Sequence, residues 1–343
     1  MNLIRISISI LGLLCSFYLS GQLTFTVPQD NPVELGKVNW LRDYDKALAL
    51  SEEKGLPVFI LFQEVPGCAT CSTYGNNVLS HPFIVEAIES HFVPLVIYNN
   101  KGGQDAKVLK RYKEPSWNNP VARIIDEDEK DLVSRLSGNY SKAGVVDLII
   151  NGMARSNQIA PTYLRLFQEE LNYSGTDQKD LTLSMYCFWT GEKEIGKLPG
   201  VFKTAAGFMN GREVVQVAYD PSIVSEKELI SSANKSRCAD GIFTDDDKIA
   251  ETASKIVGKD NVARTSKFRY DNDQKYYLKK SKYAQIPMTA YQSMKANSLI
   301  GSGQDPAEIL SPRQLQLLST KQNRSSKNKS SFEEKWYSIV NAD

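Results

Sequence analysis

The stretch EVPGCATCSTYGNNVL, residues 64–79, places two cysteines two residues apart directly after the apolar run PVFILFQ, residues 57–63. The apolar run has the length and the β-branched and aromatic content of a buried central strand. A Cys-x-x-Cys pair in this position serves as a redox pair, as half of a zinc site or as a small structural disulfide. The rest of the chain has to decide among these three kinds of site.

The amino terminus has the layout of a secretory signal peptide, which we place at residues 1–21. Arg5 precedes the apolar run ISISILGLLCSFYLS and the small residues SGQ follow it, so cleavage is expected near Ser20 to Gln22. The apolar run is shorter than the ~20 residues that span a bilayer. The mature protein is therefore expected to be exported to a periplasm or extracellular space, to lose Cys15 with the signal, and to meet a membrane only during export.

Four cysteines remain after Cys15: Cys68, Cys71, Cys187 and Cys238. Because an exported protein tolerates disulfides, permanent structural bridges stay open as an interpretation of all four. A structural zinc site needs about four ligands. The chain has only two histidines and no second Cys-x-x-Cys, so no metal site is expected.

Composition sets broad limits on the architecture and the partners. A chain of 343 residues with 41% apolar residues is long enough for about two domains. A formal net charge of +1 argues against a nucleic-acid partner. The stretch 311–331 mixes Lys, Arg, Ser and Asn without aromatic residues, and disorder is expected after Lys321 up to the stretch SFEEKWYSIV, residues 331–340.

Periodicity and breakers predict the order of the elements around the cysteine pair. We expect a helix over 38–55, a strand over 56–64 and a helical stretch over 73–91 broken at Pro82. A strand over 92–99, a short helix over 106–113, and two strands joined by an acidic turn over 120–138 should follow.

This order, with the Cys-x-x-Cys after a core strand, resembles the thioredoxin fold over residues 37–172. Pro120 in NNPVARII stands where thioredoxin-like proteins carry a cis-proline facing the disulfide, which implies a substrate-binding role. The VPG before Cys68 resembles a subset of thioredoxin-like proteins, some of which use selenocysteine at the reactive position. The resemblance favours a redox pair over the zinc and structural alternatives.

The position of the pair also assigns the two thiols their roles. A cysteine at a helix start faces unpaired N–H groups and the positive end of the helix dipole, which stabilise its thiolate. Cys68 should therefore be the attacking thiol. Cys71 lies one turn further in and should displace the mixed disulfide that Cys68 forms with a substrate.

A second informative stretch is LTLSMYCFWTGEKEIGKLPGVFKTAAGFMNGREVVQVAYDP, residues 181–221. It resembles peptide methionine sulfoxide reductase of the A type, whose active cysteine lies in a GCFWG motif followed by LPGV and by a strand ending in YDP. We place this domain at residues 178–265. The resemblance implies that Cys187 is the nucleophile, that Phe188 and Trp189 receive the S-methyl group, and that Glu213 protonates the sulfoxide oxygen.

The same resemblance implies a second thiol that condenses with the sulfenic acid left on Cys187, and Cys238 is the candidate. The sequence departs from the family at several positions. Tyr186 and Thr190 replace the two glycines of the motif, and Phe208 stands where the family has a tyrosine that holds the sulfoxide oxygen. The sequence shows no counterpart of the family's later D…GTQYRS segment.

Plainer interpretations stay open for the second domain. Cys187 can be a buried thiol with Phe188 and Trp189 as core neighbours, Glu213 a surface residue, and Cys187–Cys238 a permanent bridge. Residues 266–343 are expected to form a helical extension and a disordered tail. The fold class is therefore α/β and α+β, with a thioredoxin-like domain, a reductase A-like domain and a helical extension.

Together these observations predict an exported thiol–disulfide oxidoreductase coupled to reduction of peptide methionine (S)-sulfoxide, without a metal or organic cofactor. Its partners would be oxidised or disulfide-containing exported proteins and a thiol reductant. One alternative is a thioredoxin-like protein-disulfide oxidoreductase whose second domain only binds substrate. Another is a disulfide-stabilised binding protein without turnover.

Overall fold

The computed structural model describes residue 28 and residues 30–174, 177–319 and 331–340. The expected signal peptide at 1–21, with Cys15, lies outside the described residues, as does the stretch 321–330 of the expected disordered tail. Two β-sheets, one of four strands and one of six, organise the part of the chain that is described. None of its helices combines the length and apolar composition that a membrane span requires.

The first part of the chain is built around the four-stranded sheet. Its elements are, in order, α1 (Tyr44–Lys54), β1 (Val58–Gln63), α2 (Ala69–Asn77), α3 (Pro82–His91), β2 (Val93–Tyr98), α4 (Gln104–Arg111), β3 (Val121–Ile125), β4 (Leu136–Ser137), α5 (Lys142–Arg155) and α6 (Thr162–Tyr173). The strand order is β2-β1-β3-β4, with β1 parallel to β2 and antiparallel to β3. Every residue of β1 is buried, which confirms the expected central strand.

Two predicted elements of this part differ from the structure. The helix expected from Val38 begins at Tyr44, because Leu41 pairs with Leu95 of β2 and Asp43 then caps the helix by accepting from the Lys46 N–H. The strand expected after the acidic turn is reduced to Leu136–Ser137. Apolar residues before it pack against the core from an irregular segment instead.

The second part of the chain is built around the six-stranded sheet. Its elements are β5 (Lys179–Met185), α7 (Phe188–Ile195), β6 (Val201–Met209), β7 (Arg212–Tyr219), α8 (Glu226–Lys235), β8 (Ala239–Phe243), α9 (Asp247–Val257), β9 (Val262–Ala263) and β10 (Arg269–Tyr270). The strand order is β10-β6-β7-β5-β8-β9, antiparallel except for the β8–β9 pair. Because β10 pairs with β6, this sheet extends past the domain boundary expected at residue 265.

The remaining helices are α10 (Tyr276–Lys279), α11 (Ala290–Gly301), α12 (Pro312–Ser319) and α13 (Phe332–Val340). Two of them, α11 and α12, contact helices of the first part. The Tyr291 hydroxyl of α11 donates a 2.9 Å hydrogen bond to Glu169 of α6. On α12, Arg313 forms an ion pair with Glu89 of α3, and its backbone N–H donates a 2.9 Å hydrogen bond to Glu86.

The last helix, α13, begins where the expected disorder ends, within the stretch SFEEKWYSIV, residues 331–340. It packs on the first part of the chain, where Phe332 contacts the buried His81 ring at a centroid distance of 5.5 Å. Trp336 is only 1% exposed, and Lys142 forms a 3.0 Å ion pair with Glu333. Burial of these side chains explains why this short segment is ordered as a helix.

Candidate active sites

The Cys68–Cys71 pair lies at the carboxyl end of β1. Cys68 is the N-cap residue of α2, as the sequence predicts, and its sulfur is 3.6 Å from the Cys71 sulfur. Cys68 is exposed, whereas Cys71 is 0% exposed. A substrate disulfide can therefore reach the Cys68 sulfur but not the Cys71 sulfur.

The two thiols differ in acidity in the way that attacking and resolving thiols should. Hydrogen bonds from Cys71, through its backbone N–H and then its side chain, lower the pKa of Cys68 below the ordinary cysteine value. Burial, reinforced by the neighbouring Cys68, raises the pKa of Cys71 to about 11. Cys68 is thus the thiol that ionises first, and the thiolate is the nucleophilic form.

The loops around the pair hold it in place. The Asn119–Pro120 peptide bond is cis, as the resemblance implies, and Asn119 Oδ1 accepts a 2.8 Å hydrogen bond from the Cys71 thiol. On the other side, Glu34 Oε1 accepts a 2.8 Å hydrogen bond from the Gly67 N–H. Side chains distant in sequence therefore fix the loop on which Cys68 is presented to solvent.

Cys187 occupies a comparable position beside the second sheet. It is the half-buried N-cap residue of α7, directly after β5, as the sequence predicts. Glu213 reaches this helix start from β7, and its Oε2 accepts a 2.8 Å hydrogen bond from the Phe188 N–H. The structure thus brings Cys187 and Glu213 to the same helix start.

Aromatic side chains form a wall beside Cys187. The Phe188 ring meets Phe208 edge-on at a centroid distance of 5.3 Å and Trp189 at 5.5 Å. Trp189 stacks on Tyr276 at 4.1 Å with an interplanar angle of 12°. The Glu213 carboxylate and this apolar wall therefore both lie at the helix start that Cys187 caps.

Comparisons with known proteins agree with this division of the chain. Residues 39–126 match the sequence model of a thioredoxin-like family. The peptide methionine sulfoxide reductase MsrA of Shigella boydii serotype 4 (strain Sb227) is 34% identical over 124 residues, which cover 30% of this chain and 51% of that protein. The chain joins a thioredoxin-like domain to a methionine sulfoxide reductase A-like region.

Other relatives give shorter or weaker matches. The MsrA of Methanoculleus marisnigri (strain ATCC 35101 / DSM 1498 / JR1) is 37% identical over 68 residues, 15% of this chain and 42% of that protein. A solved structure described as DsbH oxidoreductase is 18% identical, with a TM-score of 0.31, and the match covers 38% of this chain and 94% of that one. The chain spans about half or less of the length of the curated reductases it matches.

The reductase-like region contains two site residues that sequence reasoning missed. Asp271 Oδ2 accepts a 3.3 Å hydrogen bond from Trp189 Nε1, and Tyr276 stacks on the same indole. Asp271 and Tyr276 belong to one segment that contacts Trp189 from beyond the sheet strand β10. Its one signal in the sequence is the acidic and aromatic pattern YDNDQKYY, residues 270–277.

A buried ion pair anchors this segment of the reductase-like region to α7. Glu192 is 0% exposed, and its carboxylate accepts hydrogen bonds from both the backbone N–H and the Nζ of Lys275. Thr204 donates a further 3.2 Å hydrogen bond to the same carboxylate. Lys275 has a left-handed backbone, with φ 53, immediately before Tyr276. Removing Lys275 would leave the Glu192 carboxylate buried without its cation, so the pair holds the residue before Tyr276 against α7.

Cys238 is hydrogen-bonded through its backbone to the residue before Cys187, but its sulfur contacts other groups. The Tyr186 N–H donates a 3.1 Å hydrogen bond to the Cys238 carbonyl. Cys238 is 2% exposed, and its sulfur contacts the Ser236 hydroxyl at 2.9 Å and the Ala233 carbonyl at 3.5 Å. Burial raises the pKa of this thiol. Both Cys187 and Cys238 are free thiols in this structure, so the permanent bridge is not formed here.

Glu64 is a further residue that the sequence did not single out in the thioredoxin-like domain. One of its carboxylate oxygens and the sulfurs of Cys68 and Cys71 all lie within 4.8 Å of one another. These three are the atoms among the described residues that could ligate a metal ion together. The same three groups are also a thiol pair with an acidic neighbour. The redox interpretation concerns the thiol pair.

Proposed function

We propose that this chain reduces peptide methionine (S)-sulfoxide at Cys187 and that the Cys68–Cys71 pair returns the electrons. The observation that carries the proposal is the hydrogen bond between Glu213 and the Phe188 N–H, next to Cys187. It holds a carboxyl group at the helix start where a thiolate is stabilised. Thiolate and acid are the two groups that sulfoxide reduction requires.

Cys187, Glu213 and a proton from solvent account for all atoms and electrons of the reduction step. The Cys187 thiolate attacks the sulfoxide sulfur while its methyl group lies against Phe188 and Trp189. Glu213 gives a proton to the oxygen, the S–O bond breaks, and the oxygen passes to Cys187 as methionine leaves. Cys187 ends as a sulfenic acid, oxidised by two electrons, and Glu213 regains a proton from solvent.

A thiol must then attack the sulfenic acid, forming a disulfide with Cys187 and releasing water. Cys238 can do this only after its sulfur leaves the contacts with Ser236 and Ala233. Cys68 is exposed and has a lowered pKa, so it can attack either the sulfenic acid or the resulting disulfide. Cys71 would then displace Cys187 or Cys238 and leave a Cys68–Cys71 disulfide.

Joining the two domains in one chain has a kinetic consequence. A tethered thiol pair reacts at an effective concentration of the order of millimolar when the linker allows contact. An external thiol reductant must reduce Cys68–Cys71 after each turnover. We further propose that the protein acts on oxidised exported proteins after export, which the signal-like residues 1–21 support and cell fractionation would test.

The decisive experiment compares wild type with Cys187→Ser under a chemical dithiol, which bypasses the thioredoxin-like domain. The substrates are the S and R epimers of N-acetyl-methionine sulfoxide methyl amide. We expect wild type to reduce the S epimer and Cys187→Ser to be at background. Equal background rates in both proteins would reject the proposal and leave the reductase-like region as a binding scaffold.

A second function is favoured by the exposure and acidity of Cys68. These properties suffice for a thioredoxin-like oxidoreductase that acts on protein disulfides and uses the second domain only to hold substrate. The variant Cys71→Ser should accumulate mixed disulfides through Cys68. Trapped partners containing protein disulfides, together with no sulfoxide reduction, would select this function. A chain without either activity would be a binding protein.

A further inference from the structure

Arg269, Phe208 and Glu213 form one row across three neighbouring strands. Arg269 of β10 is the direct partner of Phe208 of β6, and Phe208 is the direct partner of Glu213 of β7. Residues directly opposite in an antiparallel pair project their side chains from the same face of the sheet. All three side chains therefore lie on one face.

This face is the one that α7 covers. The Phe208 ring contacts Phe188 at 5.3 Å, and Glu213 accepts the hydrogen bond from the Phe188 N–H. Neighbouring strands are separated by about 4.8 Å, so Arg269 lies about 10 Å along the row from Glu213. The Phe208 ring lies between them, at the apolar wall beside Cys187.

The guanidinium group of Arg269 has no competing partner there. It lies over the Phe208 ring, with its central carbon 4.3 Å from the ring centroid. Among the described residues, no carboxylate pairs with it and no acceptor takes its hydrogen bonds. Two other arginines of this region, Arg212 and Arg264, each pair with an aspartate. Arg269 is exposed, and its contact with the Phe208 ring leaves its N–H donors without a partner among the described residues.

We propose that Arg269 binds the sulfoxide oxygen and stabilises its negative charge in the transition state. This inference rests on the proposed function. Phe208 has no hydroxyl to offer the oxygen, whereas the guanidinium above it offers five N–H donors and no acceptor. Negative charge on the oxygen grows as the S–O bond lengthens, so a fixed cation there lowers the barrier.

The first test removes the donors and measures kcat/KM for an uncharged substrate, N-acetyl-methionine (S)-sulfoxide methyl amide. Arg269→Met should lower kcat/KM by roughly 10²-fold, as loss of one oxyanion donor does. Arg269→Lys keeps the positive charge but loses the planar set of guanidinium donors. Its kcat/KM should lie between the values of wild type and Arg269→Met. Lys203→Met is the matched control, since Lys203 is an exposed cation of β6 on the opposite face from Phe208. It should stay within about twofold of wild type.

The second test is rescue. If Arg269 replaces a tyrosine hydroxyl as the donor to the sulfoxide oxygen, a hydroxyl restored at position 208 should partly compensate for its loss. Phe208→Tyr should then raise kcat/KM more in the Arg269→Met background than in wild type. A merely structural role of Arg269 would not produce this coupling. Unfolding midpoints of all variants, measured by circular dichroism, show whether a loss of rate is a loss of fold.

Three outcomes overturn the inference, and they differ from one another. An active wild type with an equally active Arg269→Met rejects the role of Arg269 while the proposed function stands. A loss confined to peptides with an acidic residue next to the sulfoxide makes Arg269 a contact for substrate carboxylates instead. A wild type no faster than Cys187→Ser rejects the proposed function, and the inference with it.

Discussion

The Glu213 carboxylate accepts a hydrogen bond from the Phe188 N–H at 2.8 Å, across 25 positions of sequence. This contact ties the start of α7 to β7 and sets an acid beside Cys187. An N–H at a helix start needs an acceptor, so the carboxylate also satisfies a group that the helix itself leaves unpaired. One residue therefore serves both the local fold and the proposed chemistry.

Replacing Glu213 by glutamine should separate its structural role as a hydrogen-bond acceptor from its proposed role as an acid. The amide oxygen of the new side chain can still accept from the Phe188 N–H, but the amide cannot give up a proton to the sulfoxide oxygen. We therefore expect Glu213→Gln to fold normally and to lose about 10³-fold in kcat, within the usual range for loss of a general acid. The measurement is single-turnover reduction of the (S)-sulfoxide under excess enzyme.

The matched control for this acid is Glu251→Gln, an exposed carboxylate on α9. It should keep the wild-type rate. Full activity in Glu213→Gln would show that solvent, rather than this carboxyl group, protonates the leaving oxygen.

Tyr276→Phe should lower sulfoxide reduction while preserving the stack on Trp189. The substitution removes only the phenolic hydroxyl of Tyr276 and keeps the ring that stacks on Trp189. We expect kcat/KM to fall by roughly 10²-fold if the hydroxyl contacts the oxygen. Tyr277→Phe, its neighbour in α10, is the control and should not change the rate. Equal rates for the two variants would make Tyr276 a packing residue only.

Alkylation should distinguish the two thiols of the thioredoxin-like domain. Hydrogen bonds from Cys71 lower the pKa of Cys68, whereas burial raises the pKa of Cys71 to about 11. In the reduced protein at neutral pH, iodoacetamide should therefore modify Cys68 first, and the midpoint of its rate against pH should fall below the ~8.5 of a free cysteine. Peptide mass spectrometry assigns the site.

Each thiol has its own variant as a check on this assignment. Cys68→Ser should abolish the fast phase, and Cys71→Ser should retain it. A rate midpoint at or above the free-cysteine value would contradict the assignment of Cys68 as the attacking thiol.

His81 should make the folded protein sensitive to mild acid. Burial, with a smaller contribution from Lys142, lowers its pKa to about 3, although Glu333 opposes the shift. An exposed histidine titrates near a pKa of about 6.5, so between these values the unfolded chain binds the proton and the folded chain does not. This contribution to stability is complete above about pH 6.5 and is lost as the pH falls through that window.

The variant His81→Phe keeps a ring against Phe167, on which His81 stacks at 4.2 Å, and removes the titration. Between about pH 7 and pH 5, the free energy of unfolding of wild type should fall by about 2 kcal/mol more than that of the variant. Urea unfolding at both pH values measures the difference. Equal falls would mean that His81 accepts a proton without unfolding this part of the protein.

Local patterns in the sequence were enough to predict that Cys68 and Cys187 each lie at a helix start. The buried run before Cys68 could only be a central strand, and a cysteine at its end begins α2. The alternating run before Cys187 likewise forms a strand, β5, and Cys187 then caps the start of α7. The late start of α1 and the short β4 were not predictable, because pairing of Leu41 with β2 and packing of the irregular segment are tertiary effects.

The sequence by itself determined the positions of Cys68 and Cys187 and the presence of the strands β1, β2, β3, β5 and β7, because each depends on periodicity and breakers within a few residues. Only the tertiary structure decided which distant side chains join them. It brought Glu213, Asp271 and Tyr276 to α7, buried Cys238, and packed α13 on His81. Such contacts depend on how strands and helices pair across the fold, and no local pattern encodes that pairing.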